Sequence, residues 1–220
     1  MTAASGSELC YTIDAVPVPP PDFLPNGRSA PKISGRSQVK GVAFRTVLWS
    51  VEQLSGAHQV TAVLARLSPP AREALRYGEV VAGGWYPVEW YAELLNAIAF
   101  TSHGGIDVIR SIAAIAIDHD ITGVYRFLVE QLNPVTVTTI FGKLFPRYYS
   151  TGSIRVVSET RKHFRFHVNG CVGFTELMWQ EIYASGKHLL LKSGAKNVHH
   201  HIVEGGKDGD QHLVIDARWE

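Results

Sequence analysis

The spacing of apolar residues changes once along this chain, and the change restricts the folds that the chain can adopt. From Gly41 to about Phe145 apolar side chains recur every three or four residues, which is the period of amphipathic helices. After Tyr149 the period becomes two, as in residues 163–168, where every second position (Phe164, Phe166 and Val168) is aromatic or aliphatic. A run of helices followed by antiparallel strands predicts an α+β fold.

Helix boundaries in the first part are indicated by proline and capping residues. The Pro69-Pro70 pair ends one helix and begins the next. A long apolar helix follows later, and we expect Asp118–Asp120 to interrupt it before it resumes through residues 124–128. Asn133 followed by Pro134 predicts a capped start for the last helix of this multi-helix layer.

Residues 150–220 are expected to form a hairpin, a helix and a second hairpin. The helix is predicted from about Phe174 to Leu191, and the second hairpin turns within the glycine-rich segment Glu204–Asp210. The two hairpins together predict a four-stranded antiparallel sheet, on which the N-terminal helices pack.

Residues 1–40 differ from the rest because six prolines lie between positions 17 and 31. Proline removes backbone donors and favours extended conformations, so we predict a Pro-rich leader that is extended or disordered. Its apolar residues leave open a second interpretation, a strand that docks on this domain or on a partner. Residues 41–220 are predicted to be a single α+β domain, with a helical part (41–149) and a hairpin–helix–hairpin part (150–220).

Charge and hydropathy argue against several classes of partner. The chain has 21 Lys and Arg against 20 Asp and Glu, so no electrostatic feature predicts nucleic-acid binding. Its most apolar helical stretch, Ile106–Ile117, has 12 residues and two charges, whereas a membrane span needs roughly 20 apolar residues. The first 30 residues show no targeting segment. We therefore expect a cytoplasmic protein with no membrane span.

Catalytic signatures are absent from the sequence. It contains no P-loop, no Gly-x-Ser-x-Gly elbow, no dinucleotide-binding glycine motif and no His-Glu-x-x-His zinc motif. Cys10 and Cys171 fit neither a disulfide framework nor a zinc finger, and Cys171 is interpreted as a buried structural residue. We expect a protein that is not an enzyme and that has no cofactor.

The run His199–His201 could bind a metal in one register of the second hairpin but not in another. On a strand, His199 and His201 share one face and His200 points to the opposite face. A turn centred on Gly206-Lys207 would place His212 opposite His201, so that three imidazoles could meet a metal. A tight Asp208-Gly209 turn would place Asp216 there instead, and it uses the stronger turn signal. We predict no metal site, with the remaining candidates being His199, His201 and His212.

Four short motifs stand out: Gly41–Arg45, Trp85–Pro87, Phe145–Gly152 and the glycine-rich hairpin that ends at Trp219. They resemble an uncharacterised domain family abundant in myxobacteria, over about residues 41–219. The order of elements is also similar to a wider group of haem nitric-oxide-binding domains, 4-vinyl-reductase ligand domains and subunits of vesicle-tethering complexes. In that group a helical layer packs on a small antiparallel sheet, and several members hold an apolar ligand between the two.

The resemblance does not extend to the residues that hold haem. The haem-binding members carry a ligating histidine on the helix before the first sheet strand, and residues 120–162 contain no histidine. Their Tyr-x-Ser-x-Arg clamp for the propionates would fall near His167–Cys171, which reads His-Val-Asn-Gly-Cys. A loose match, Tyr148-x-Ser150, occurs earlier, but Gly152 replaces the arginine that would bind the propionates. His119 remains conceivable as an iron ligand, although its two acidic neighbours favour a solvated histidine. We expect no bound haem.

Taken together, these features predict a non-catalytic regulatory or adaptor domain that binds a protein partner or a small apolar ligand between helices and sheet. The resemblance implies an aromatic ligand wall, for which the candidates are Trp85, Tyr86, Trp90, Phe141, Phe164, Phe166 and Trp179. The other interpretation of these aromatics is ordinary core. Two alternative functions remain: a scaffold that self-associates or docks through its leader, and a metal-binding protein that uses the histidine-rich hairpin.

Overall fold

The computed structural model of this chain describes residues 36–122 and 133–220. Most of the predicted leader, residues 1–35, and the predicted helical continuation over residues 124–128 lie outside the described residues. The part of the chain that is described forms seven helices and six strands.

The first half of the chain is mainly helical. Its elements are β1 (Gln38–Lys40), α1 (Gly41–Ser55), α2 (Ala57–Ala65), α3 (Pro69–Arg76), β2 (Trp85–Pro87), α4 (Val88–Thr101), α5 (Gly105–Thr122) and α6 (Pro134–Tyr148). The start of α6 is as predicted, because the Asn133 side chain accepts a hydrogen bond from the backbone N–H of Thr136 at 3.0 Å.

The second half is a hairpin, a helix and a hairpin. Its elements are β3 (Ser153–Thr160), β4 (His163–Asn169), α7 (Glu176–Lys192), β5 (His199–Gly205) and β6 (His212–Arg218). The four strands form one antiparallel sheet in the order β3-β4-β6-β5. The predicted α+β fold with a four-stranded antiparallel sheet is confirmed.

A second, two-stranded sheet was not predicted. Strand β1 pairs antiparallel with β2, so that Gln38 lies opposite Pro87 and Lys40 opposite Trp85. Strands of three residues are too short to show a period of two, so the pattern of apolar residues does not indicate them.

The prediction that Asp118–Asp120 interrupts α5 is wrong. Helix α5 continues through these residues to Thr122. The Asp118 carboxylate lies 2.8 Å from Lys192 Nζ and 2.9 Å from His188 Nε2, both on α7. Asp118 therefore joins two packed helices instead of marking a break.

One apolar core joins the two halves of the described chain. Helix α5 packs against both α1 and α7, and α6 packs against β3 and α7. The core includes the fully buried Phe44, Tyr91 and Trp179, which come from α1, α4 and α7. No helix in residues 36–122 or 133–220 has the length and apolar character that a bilayer crossing needs.

Candidate functional site

A small apolar cavity lies between α6, α7 and the inner face of the four-stranded sheet. Its volume is about 20 Å³, which is room for about one water molecule. Apolar side chains, one glycine and one histidine line it: Phe141, Ile154, Phe166, Val168, Ile182, Gly186, Leu190, His200 and Ile215. The cavity thus occupies the position between helices and sheet at which the sequence predicted a ligand.

The periods of the surrounding elements bring these residues together. In β4 the alternation buries Phe166 and Val168 on the inner face. In α7, Ile182, Gly186 and Leu190 follow one another at intervals of four residues and share one face of the helix. Gly186 opens the middle of this face, since a Cβ built there would lie 3.6 Å from the Phe141 ring and 3.8 Å from His200 Nε2.

His200 is the polar side chain of the cavity. Its residue exposure is 8%, and its Nδ1 atom has no hydrogen-bond partner. The Tyr183 ring lies 4.6 Å from the imidazole, and the Tyr183 hydroxyl donates a hydrogen bond to the His200 carbonyl. Burial, followed by the nearby charges of Lys187 and His201, lowers the pKa of His200 to about 3. The imidazole is therefore neutral at physiological pH.

The structure brings only two of the seven predicted wall aromatics to this cavity. Phe141 of α6 meets Phe166 of β4 edge to face, with ring centroids 5.6 Å apart. Phe164 instead stacks on Trp219 at 5.2 Å, and Trp179 packs against Phe174 in the core at 4.9 Å.

The other three aromatics form a separate cluster at β2 and the start of α4. Tyr86 stacks on Trp90 with centroids 6.3 Å apart, and the Tyr86 hydroxyl donates to the carbonyl of Glu79 and accepts from the N–H of Val81. Trp85 lies under the Lys40 ammonium group, 4.6 Å from the ring centroid. These contacts join β1 to β2, and they join β2 to α4 and to the segment that follows α3.

His200, Ile182 and Gly186 were not among the predicted site residues. The sequence did place His200 on the strand face opposite His199 and His201, and the four-residue spacing in α7 was visible. Neither signal shows which helix covers the inner face of the sheet, and that contact is what assembles the cavity.

The histidine-rich hairpin adopts the register of the Asp208-Gly209 alternative. His201 lies opposite Asp216, and His212 lies 3.3 Å from the Glu204 carboxylate. The three-imidazole arrangement with His212 opposite His201 is therefore wrong. Among the described residues, no three His, Cys, Asp or Glu side chains cluster in a way that could hold a metal ion.

Asp216 instead organises the outer face of the sheet. Its carboxylate lies 2.7 Å from His163 Nε2, 3.1 Å from Arg218 Nε and 3.4 Å from Arg165 Nη2. Burial acts to raise the pKa of Asp216, but the hydrogen bond and charge of His163 and the charge of Arg218 outweigh it and keep the pKa below its usual value.

A buried carboxylate lies in the core on another face of α7. Glu181 accepts a hydrogen bond of 2.5 Å from the Tyr91 hydroxyl of α4, and its second oxygen has no hydrogen-bond partner. Burial raises the pKa of Glu181 to about 7, although the Tyr91 hydrogen bond opposes this rise. The side chain joins the helical part to α7 without bordering the cavity.

Cys171 has the environment of a structural residue. The thiol is fully buried, and burial raises its pKa to about 12. A thiol with so high a pKa carries almost no thiolate at neutral pH and is a poor nucleophile.

The positions that hold haem in the resembling domains do not fit haem in this chain. Helix α6, which directly precedes β3, contains no histidine. A Cβ at Gly152 would lie 2.5 Å from Cys171 Sγ, so no arginine side chain has room there. The Tyr148 hydroxyl lies 3.4 Å from the Asp120 carboxylate, and the His119 ring packs on Trp49 at 4.1 Å. The cavity beside α6 is also far smaller than a porphyrin.

This chain is similar to known proteins in structure, but no match was found by sequence. No family model and no curated protein matches this chain, so the resemblance to a myxobacterial family stays a prediction. Solved structures do match. An H-NOX protein from S. oneidensis in the Fe(II)NO ligation state is 11% identical with a TM-score of 0.64, covering 82% of this chain and 99% of its own.

Two further structures match to the same extent. The Fe(II) unliganded H-NOX protein from K. algicida is 14% identical, with a TM-score of 0.63 and coverage of 82% of this chain and 96% of its own. An oxygen-binding H-NOX domain related to soluble guanylate cyclases is 9% identical, with a TM-score of 0.61 and coverage of 82% and 95%. The chain therefore has the fold of H-NOX proteins.

Proposed function

We propose that this protein is a non-catalytic regulatory domain that binds a small apolar ligand in the cavity between α6, α7 and the sheet. The observation that carries this proposal is the cavity itself, whose lining is apolar except for one neutral histidine. Small-molecule sites have the same kind of lining, with an apolar wall and few polar groups, but at a much larger volume of roughly 300–1,000 Å³. The buried thiol of Cys171 and the absence of catalytic motifs support a function in binding.

The size of the cavity couples binding to a movement of the helices. About 20 Å³ is too little space for a molecule much larger than water. A larger ligand must separate Phe141 of α6 from Phe166 of β4, whose rings are in contact. The ligand therefore binds the separated arrangement more tightly and increases its population, which is the thermodynamic basis of a sensor.

A movement of α6 would reach the two-stranded sheet. The chain leaves α6 at Tyr149, which forms a bridge with Val39 of β1. The N–H of Ser150 then donates to the carbonyl of Gln38 at 2.9 Å, and the Ser150 hydroxyl accepts from the N–H of Gln38 at 2.7 Å. Ligand binding beside α6 can thus alter β1 and the chain that precedes it, where a protein partner could respond.

The fold likeness agrees with a regulatory role but does not supply the ligand. By their own descriptions, the S. oneidensis H-NOX structure is in the Fe(II)NO ligation state and the domain related to soluble guanylate cyclases is an oxygen complex. This chain lacks the histidine and the arginine that the resemblance requires for haem, so we propose that it uses the shared architecture for a different, apolar ligand.

Toluene tests the proposal, because it is apolar and of the size of one aromatic side chain. We expect toluene to shift the methyl NMR signals of Ile182, Leu190 and Ile215 in a saturable way. Gly186→Leu should abolish these shifts, because the new side chain extends beyond its Cβ into the space between α7, Phe141 and His200 and occupies the site in place of toluene. Gly186→Ala is the matched control, since its Cβ makes only ordinary contacts, and it should retain binding.

Two results would contradict the proposed function. One is the absence of any saturable shift in the wild-type protein. The other is equal toluene binding by wild type and Gly186→Leu, which would place the toluene elsewhere. Circular dichroism of both variants shows whether the fold is intact.

A further inference from the structure

The histidine that lines the cavity has a ring nitrogen without a hydrogen-bond partner among the described residues. His200 is buried, with 8% exposure, and this nitrogen is its Nδ1 atom. The other edge of the ring lies beside Gly186, with Nε2 3.8 Å and Cε1 3.9 Å from the position of a Cβ there, and Nδ1 is the ring atom next to Cε1. Since buried polar side-chain atoms nearly always have a hydrogen-bond partner, an exception requires an explanation.

A trapped water molecule does not supply that explanation. A buried water usually makes two to four hydrogen bonds, and His200 is the only polar side chain among the residues that line this cavity. A water there would lose most of the hydrogen bonds that it makes in bulk solvent. An occupant with an apolar body and a single polar group matches the lining better.

The charge of the site restricts the occupant further. None of the described residues that line the cavity carries a charged side chain. Burial and the charges of Lys187 and His201 lower the pKa of His200, and the charge of Asp216 opposes this only in part, so the imidazole is neutral. A carboxylate or an ammonium group would therefore enter an apolar space without a counter-charge, which is strongly unfavourable.

We propose that the cavity binds an uncharged molecule with an apolar body and one hydroxyl, N–H or carbonyl group, and that this group forms a hydrogen bond with the His200 imidazole. The inference rests on the proposed function and adds the chemical class of the ligand. A neutral imidazole has one donor and one acceptor nitrogen, so it can serve any of these three groups.

The surroundings of His200 hold the imidazole in place for this contact. The Tyr183 ring packs against it, and the Tyr183 hydroxyl is bonded to the His200 carbonyl. Tyr183 in turn lies beside Arg110 of α5, whose guanidinium carbon is 5.5 Å from the Tyr183 ring centroid. A ligand bonded to His200 would thus contact a residue that packs on Tyr183 of α7. Tyr183 in turn contacts Arg110 of α5, which belongs to the helical part.

Phenol and toluene form a matched probe pair, because they differ by one hydroxyl group and have nearly the same shape. We would measure both dissociation constants by NMR titration in wild type, His200→Leu and His200→Gln. The ratio of the toluene constant to the phenol constant should be about fivefold larger in wild type than in His200→Leu, the effect of one hydrogen bond. His200→Gln retains a hydrogen-bonding group and should keep part of the preference for phenol.

The imidazole nitrogen signals provide a second measurement. Phenol should shift the His200 ¹⁵N resonances of the wild-type protein, and toluene should leave them nearly unchanged. Binding of toluene by His200→Leu shows that the variant is folded and that its cavity is accessible.

The outcomes separate this inference from the proposed function. Equal ratios in wild type and His200→Leu, with toluene still bound at the cavity, would overturn the role of His200 and leave the apolar site standing. Failure of both probes to bind wild type would contradict the proposed function as well.

Discussion

At the scale of single residues, two ionisable side chains, Glu181 of α7 and His200 of β5, lie where charge is unfavourable. Glu181 is buried between α4 and α7, near Tyr149 as well as Tyr91. His200 of β5 is buried beside the cavity, against a different face of α7. Burial raises the pKa of the carboxyl group and lowers that of the imidazole, because each group is driven towards its neutral form.

Glu181 makes the stability of the fold depend on pH. The folded-state pKa of Glu181 is about 7, above its value in an unfolded chain, so its contribution is fully present below about pH 4 and is lost as the pH rises through 7. Glu181→Gln keeps an acceptor for Tyr91 and removes the charge. We expect the variant to gain up to about 3 kcal/mol in free energy of unfolding relative to wild type between pH 5 and pH 8.5.

Denaturant unfolding at several pH values between 5 and 8.5 measures this difference. The control is Glu73→Gln, which makes the same chemical change on an exposed side chain of α3 and should follow the wild-type profile. A constant difference between Glu181→Gln and wild type across this range would show that Glu181 does not change its protonation there.

The sequence could not predict the position of Glu181. Within α7 the residues on either side of it, Gln180 and Ile182, are one polar and one apolar, so the local pattern does not define its face. Its burial depends on Tyr91 of α4 and on Tyr149, which follows α6, and both are distant from Glu181 in sequence. The strand face of His200 could be predicted, because strand alternation alone places its side chain opposite those of His199 and His201.

At the scale of elements, the predictions succeeded where a local signal determines the geometry. The Asp208-Gly209 turn signal gave the correct register of the β5–β6 hairpin, and Asn133 before Pro134 gave the start of α6. The predictions failed where contacts between elements that are distant in sequence determine the structure. Strand β1 forms only because β2 lies beside it, and α5 continues through Asp118 because α7 supplies Lys192 and His188.

The turn between α6 and β3 depends on a glycine for two separate reasons. Gly152 has φ +87°, and a Cβ there would lie 2.5 Å from Cys171 Sγ and 3.1 Å from the Phe145 ring. We expect Gly152→Ala to lower the free energy of unfolding by about 3 kcal/mol, from backbone strain together with crowding of buried atoms.

Gly209→Ala separates the two causes. Gly209 has nearly the same φ, +86°, but no atom lies within 4 Å of the position of its Cβ. Its substitution should cost about 1 kcal/mol, which is backbone strain alone. Equal losses in the two variants, measured by urea unfolding, would show that the contact with Cys171 relaxes without cost.

At the scale of the whole molecule, the order of periods was sufficient to predict the architecture. Helices first and alternating strands afterwards gave the α+β fold and the four-stranded sheet that the structure shows. The site was predicted only in part. Phe141 and Phe166 border the cavity, but Trp85, Tyr86 and Trp90 are large aromatics that pack around β2, and residue type alone does not distinguish a ligand wall from a core.

The whole molecule also predicts how the protein responds to haem. It has the fold of H-NOX proteins, but α6 has no histidine, Gly152 has no room for a larger side chain, and His119 is packed against Trp49. We expect an absorption titration of the purified protein with haem to show no saturable one-to-one complex. The haem-free form of the S. oneidensis H-NOX protein serves as the positive control. A stoichiometric complex whose spectrum changes in His119→Ala would contradict this expectation, because it would show that α1 and α5 separate to admit the porphyrin.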